Sequence, residues 1–172
     1  MIWKVVRQIA NVGIATEAAP DIGEDNQAEA SRIQAELLSI LGDALAIREV
    51  DAGSCNGCEM EINALGNPYY NIGGLGIRFV ASPRHADLLL VTGPVSRNME
   101  MALKRTYEAT PEPKLVVAVG DCACNGGIFG ESYATCGRVD KVIPVDVMVP
   151  GCPPEPVDIL RGILQAVRRR VK

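Results

Sequence analysis

"ADLLLVTG" (residues 86–93) and "KLVVAVG" (residues 114–120) decide the fold. Each is a short aliphatic run closed by glycine. Neither shows the polar alternation of a strand with one wet face, so both read as strands covered on both sides, the habit of a parallel sheet. Between them, "NMEMALKRTYEAT" (residues 98–110) has the make-up of a crossover helix, and "PEP" (residues 111–113) stops it. Strand, helix and strand form a βαβ unit, whose two strands lie parallel.

Working outward, "ALAIREV" (residues 44–50) is an expected strand, and so is "KVIPVDVMVPG" (residues 141–151). The following "PPEPVDILRGILQAVRRR" (residues 153–170) opens with prolines suited to a helix N-terminus. It puts Val157, Leu160, Leu164 and Val167 on one face. Toward the other end, Ile2, Val5, Val6, Ile9 and Gly13 follow helical spacing, with Lys4, Gln8 and Asn11 on another face. That segment reads either as a helix packed on its own domain or as a docking helix for a membrane surface or partner subunit. "PDIGEDNQAEA" (residues 20–30) reads as a linker. Asn26 and Glu29 then form a capping box before a helix striped with Ile33, Leu37, Leu38 and Leu41, which Gly42 ends. The expected division is an N-terminal amphipathic segment, linker and helix over residues 1–45, and an α/β domain over residues 46–172.

The 172 residues suffice for a real core, which must be aliphatic because aromatics are only 4% of the chain. A net charge of -4 offers no broad basic field for nucleic acid. The one basic cluster, "RRRVK" at residues 168–172, reads as the complement of a helix dipole. Six cysteines could form three disulfides, yet a chain with this much core does not need such staples, and Lys4 and Arg7 interrupt the first apolar run where a secretion signal would be uncharged. A reducing cytoplasm is the expected setting. No run approaches the roughly 18 apolar residues of a membrane-spanning helix.

The cysteines carry the chemistry. Cys55 and Cys58 stand in "DAGSCNGCEMEINALG" (residues 51–66), just past the first expected strand. Cys122 follows "LVVAVG", and Cys152 follows "VMVPG". In an open parallel sheet the C-terminal strand ends share one edge, where ligands bind, so three distant loops would bring Cys55, Cys58, Cys122 and Cys152 together. Gly126, Gly127 and Gly151 allow close backbone approach there, with N–H groups free to point at anionic sulfur. Four thiolates suit a 4Fe-4S cluster. They suit zinc also, although structural zinc more often takes two tight knuckles. A dithiol redox pair would need Cys55 and Cys58 alone. Cys124 and Cys136 are surplus and read as buried thiols; Cys124, two residues from Cys122, points away from it if that stretch is extended. His85 reads as a loop histidine. Glu59 and Glu61 read equally as solvated or capping carboxylates and as groups that pass protons or tune a cluster.

"SCNGCEMEI", "SPRHADLLLVTGPV", "PEPKLVVAVGDCACNGGIFG" and "VDKVIPVDVMVPGCPPEP" resemble successive signatures of one family. It is shared by nickel-iron hydrogenase small subunits and the complex I subunit that carries the terminal cluster. The resemblance runs from Asp51 to Ile163 and implies a flavodoxin-like open parallel sheet, helices on both faces, with one 4Fe-4S cluster at the C-terminal edge of the strands. The family's ligands fall on Cys55, Cys58, Cys122 and Cys152. Its glutamate shortly after the second cysteine falls on Glu61, for which proton transfer or cluster tuning is the implied role. Cys124 and Cys136 match no ligand.

"CNGC" has the spacing of hydrogenase small subunits, where complex I subunits carry adjacent cysteines. The sequence also shows neither the further cysteine-rich region nor the twin-arginine leader of classical uptake hydrogenases. It is similar to the short small subunit of membrane-bound, energy-converting hydrogenases of the formate hydrogenlyase, Ech and carbon-monoxide-linked kinds. The resemblance implies a non-catalytic electron-transfer subunit at the cytoplasmic face of the inner membrane. Its implied partners are a nickel-iron large subunit, a ferredoxin-like 4Fe-4S subunit and membrane-arm subunits, with no nucleic acid. The alternative within the superfamily is a quinone- or carrier-linked module like that of complex I.

Overall fold

The computed structural model describes residues 45–171 together with Arg32, Ala35 and Glu36, which are helical. The expected N-terminal amphipathic helix, the linker, the capping box and the stripe from Ile33 to Leu41 lie outside the described residues. The elements are β1 (Leu45–Asp51), α1 (Gly57–Ala64), β2 (Ile77–Phe79), β3 (Leu88–Thr92), β4 (Val95–Ser96) and α2 (Arg97–Ala109). There follow β5 (Leu115–Val119), α3 (Asp121–Asn125), β6 (Thr135–Gly137), β7 (Val147–Val149) and α4 (Pro156–Val171).

Five strands form one parallel sheet in the order β2-β1-β3-β5-β7, and β4 pairs with β6 in a small antiparallel ribbon. This is the open, doubly wound order of the flavodoxin-like fold. The two runs that open the sequence argument are β3 and β5, side by side and in register from Leu88 opposite Leu115 to Thr92 opposite Val119, with α2 as their crossover.

Why those runs lack polar alternation follows from the two layers. Leu88 and Leu90 of β3 enter a core with Leu115, Val117 and Val119 of β5 and the apolar side of α4. Leu89 and Val91 enter the opposite core, with Val116, Ala118, Leu103 of α2 and Ala123 of α3. Successive side chains of a strand point to opposite faces, so both faces here need apolar residues. All four residues expected on the inner face of α4 are buried, and Ile159, Ile163 and Ala166 widen that face.

The crossover helix starts at Ser96, whose Oγ accepts the Met99 N–H at 3.3 Å. At its other end Lys114 donates to the carbonyls of Tyr107 and Thr110 at 2.9 and 3.1 Å, its ammonium 4.2 Å from the centre of the Tyr107 ring. A lysine just before the next strand thus gives a further donor to carbonyls at the end of the helix. The expected strand over residues 141–151 is shorter than its sequence suggests: only Val147–Val149 pairs, and Val139–Lys141 is a 3-10 turn. Val139 and Ile143 are apolar because they fill the α2-side core, while Pro144 has no N–H to give a ladder.

Gly162 lets α4 approach β7. A Cβ at this position would lie 2.2 Å from Val149 Cγ2. Alanine normally improves a helix interior by up to about 1 kcal/mol over glycine. Here overpacking against a side chain stiff at χ1 costs about 1–3 kcal/mol and wins. Gly162→Ala should therefore lower the melting temperature in a thermal circular dichroism scan, and an unchanged or raised value would show that α4 shifts freely on the sheet.

Candidate functional site

The C-terminal ends of β1, β5 and β7 each deliver a cysteine-bearing loop. After β1, Asp51 Oδ1 accepts the N–H groups of Gly53 and Ser54 at 2.8 and 2.7 Å, and Ser54 Oγ accepts that of Asn56 at 3.0 Å. This side-chain-braced turn presents Cys55 to solvent. Asn56, at φ 73°, then starts α1, whose first turn holds the half-buried Cys58 against the core. After β5, Gly120 turns the chain at φ 89° into α3, which carries the half-buried Cys122. After β7, Gly151 at φ 137° leads to the exposed Cys152.

The glycines measure how closely these loops converge. A Cβ on Gly120 would stand 2.5 Å from Cys58 Sγ and 3.5 Å from the Gly151 carbonyl oxygen. One on Gly127 would stand 2.6 Å from Cys122 Sγ. One on Gly57 would touch both Cys55 Sγ at 3.6 Å and Pro153, the neighbour of Cys152, at 3.9 Å. Two of the thiols therefore lie in cradles that any side chain would fill. Gly127 and Gly151 were legible as close-approach positions; Gly120 was not singled out, though its place between strand and cysteine could have marked it.

Electrostatics tie the same four residues together. Burial first, then the negative charge of Glu59, Cys55, Cys122 and Cys152, pushes the Cys58 thiol up to about 12. Burial also raises Cys122, helped by Cys152, Cys55 and Asp121. Cys58 and Cys122 so placed hold their protons more firmly than a free thiol, and a cationic centre would have to displace those protons. Among the described residues no group of three or more His, Cys, Asp or Glu side chains is drawn together tightly enough for a metal ion. The donor set itself is all sulfur, the chemistry that binds iron–sulfur clusters and structural zinc.

The remaining candidates separate from this set. Cys124 is buried, its Sγ 3.6 Å from the Ala118 carbonyl, and Cys136 is buried 3.3 Å from Glu100 Oε2. The stretch holding Cys122 and Cys124 is helical rather than extended, yet two residues along a helix also turn a side chain roughly to the far side. His85 is exposed on the 3-10 turn Pro83–His85. The two glutamates after Cys58, equivalent in sequence, differ sharply in place. Glu59 is 8% exposed; its Oε1 accepts the hydroxyl of the fully buried Thr92, and its Oε2 is buried with no partner among the described residues. Glu61 is half-buried and lies within electrostatic reach of Tyr70, whose hydroxyl is raised by burial, then by Tyr69, Glu155 and Glu61.

The loops that carry Cys58 and Cys122 also expose apolar side chains: Met60 at 63%, Ile128 at 93% and Phe129 at 53%. Exposed apolar side chains next to the cysteines, if they form one patch, would suit a contact with another molecule, although Phe79, Met101, Tyr133 and Met148 are exposed elsewhere.

Residues 55–166 match the family model described as NADH ubiquinone oxidoreductase, 20 Kd subunit. The probable membrane-bound hydrogenase subunit mbhJ of Pyrococcus furiosus is 45% identical over 150 residues, 86% of this chain and 90% of that one. Formate hydrogenlyase subunit 7 of Escherichia coli is 43% identical over 135 residues, 78% of this chain but only 53% of the longer relative. A chain in the structure of the membrane-bound sulfane sulfur reductase, an archaeal respiratory membrane complex, superposes with a TM-score of 0.61 at 34% identity, covering 79% of this chain and 74% of that one.

Proposed function

Because this chain belongs to the NADH ubiquinone oxidoreductase 20 Kd subunit family, which spans subunits of membrane-bound hydrogenases and complex I-like oxidoreductases, we propose that it is the electron-transfer small subunit of an energy-converting nickel-iron hydrogenase. The observation that carries this reading is the convergence of Cys55, Cys58, Cys122 and Cys152 from three loops on one sheet edge, two of them cradled on glycine. These four residues would hold a single 4Fe-4S cluster, proximal to the nickel-iron site of a separate large subunit. When bound, such a cluster supplies a one-electron relay between that site and a ferredoxin-like subunit.

What this chain contributes is placement and environment. The α1 turn and the buried sides of α3 and β5 partly cover Cys58 and Cys122, while Cys55 and Cys152 stay at the surface. The surface through Met60, Ile128 and Phe129 would then meet the large subunit. Glu61, with Tyr70 beside it, would tune the cluster or pass protons; Glu59 lies closer to the core and would shape the field beneath Cys58. None of the described helices is long and apolar enough to cross a membrane. Attachment to the cytoplasmic face of the inner membrane would come through membrane-arm subunits.

The similarity to the sulfane sulfur reductase complex favours a second reading, a carrier- or quinone-linked module that keeps the cluster without nickel chemistry. Anaerobic purification of the native complex, with iron, nickel and zinc quantified on the whole and on this chain, separates the two. The hydrogenase reading expects four irons on this chain and nickel in a partner. Iron without nickel in an intact complex would shift the assignment to the second reading, and zinc without iron would overturn both.

A further inference from the structure

The backbone ladder between β5 and β7 ends with Gly120 N–H donating to Val149 O at 2.8 Å. One residue further, Asp121 continues the pairing in a different way. Its N–H donates to Gly151 O at 2.8 Å, and its Oδ1 accepts the Gly151 N–H at 2.9 Å. A carboxylate thus serves as the acceptor where the strand's own carbonyls have turned away into α3. The residues next in sequence on the two sides of this bracket are Cys122 and Cys152.

The same bracket occurs at the opposite end of the same strand pair. Asp146 donates its N–H to Val116 O at 2.9 Å and accepts the Val116 N–H on Oδ2 at 2.7 Å. Asp87 does likewise with Ala46, at 2.8 and 3.0 Å, where β3 starts beside β1. Asp87 and Asp146 lie at the N-terminal edge of the sheet, away from every cysteine of the site. The fold therefore uses one device three times, and only at Asp121 does it join two candidate ligand loops.

We propose that Asp121 is a positioning residue: its reciprocal pairing with Gly151 makes Cys122 and Cys152 move as one unit and fixes their separation for the metal centre. The Cys55 and Cys58 loop is braced instead by its own turn at Asp51. The geometry of the bracket, rather than the charge of Asp121, carries the role. Asparagine can keep an acceptor at Oδ1, whereas alanine cannot. This inference rests on the four-cysteine cluster reading.

The test compares Asp121→Ala, Asp121→Asn and Asp146→Ala in the anaerobically purified complex. Its readouts are iron per chain, the paramagnetic resonance spectrum of the reduced centre, the rate of iron loss to a chelator, and the melting temperature. Removing the partner of a ligand typically costs 10–100-fold in metal affinity, so Asp121→Ala should lose iron roughly tenfold faster or more and give an altered or broadened spectrum. Asp121→Asn should keep the wild-type spectral shape and iron retention. Asp146→Ala should lower the melting temperature and leave the spectrum unchanged. A wild-type spectrum and chelator rate in Asp121→Ala would overturn the proposal. So would Asp121→Asn behaving like alanine, or Asp146→Ala perturbing the spectrum as strongly. Absence of iron from the wild-type chain would instead remove the cluster reading on which the proposal stands.

Discussion

Cys152→Ser should remove the iron–sulfur centre proposed for the four cysteines, and Cys136→Ser should leave it in place. Serine keeps the size of cysteine but does not supply a thiolate near neutral pH, and it is the thiolate that binds metal. Cys152 is exposed on the loop after β7 and has no packing duty to lose, so the fold should survive its replacement. Cys136 sits in the α2-side core beside Glu100, where a serine hydroxyl can donate to the same carboxylate. Iron per chain and the low-temperature resonance spectrum of the anaerobic complex report both results. A retained spectrum in the first variant, or a lost one in the second, would overturn the assignment of ligands.

Gly120→Ala should empty the proposed site without replacing any cysteine. At φ 89° alanine is strained, and its Cβ would stand 2.5 Å from Cys58 Sγ. Backbone strain of this kind costs about 1–3 kcal/mol. The clash has no cheap exit, because Cys58 is fixed in the first turn of α1 and packs on the core below. Both iron content and melting temperature should fall. Gly73→Ala is the control: a Cβ there meets nothing within 4 Å, so neither readout should move. Full iron in Gly120→Ala would mean that Cys58 swings away from its place against Gly120, and the cradle would lose its meaning.

β3, β5, α2 and the inner face of α4 were legible because their patterns are long and serve one geometric demand each. β2, β4 and β6 were not. Ile77–Phe79 exposes two of its three residues, and β4 and β6 are two and three residues long, so tertiary pairing rather than propensity makes them strands. That the loops bearing the four cysteines leave one edge of the sheet followed from their position after strand ends, a rule of topology that needs no contact map. The split between Glu59 and Glu61 was beyond reach. Which carboxylate of an alternating pair faces Thr92 depends on how α1 seats on the sheet, and "CEMEI" offers both the same neighbours. The Asp121 bracket was equally hidden, since it joins residues thirty positions apart through one side chain.

The two cores on opposite faces of the sheet give the cysteine edge a consequence for how the chain comes to exist. Cys58 rests on the core shared by α1 and α4, whereas α3, which carries Cys122, packs into the other through Ala123 and Cys124. A metal centre bound by Cys55, Cys58, Cys122 and Cys152 would therefore cross-link both layers and close chain loops approaching a hundred residues. In the loop-entropy model a closure of that length removes about 4.7 kcal/mol of freedom from the unfolded chain. The contacts that bring these loops together are among the most distant in sequence, the kind that form late in folding. Delivery of such a centre would then be an act of inspection as well as of supply, because only a chain with both faces already assembled would offer all four sulfurs at once.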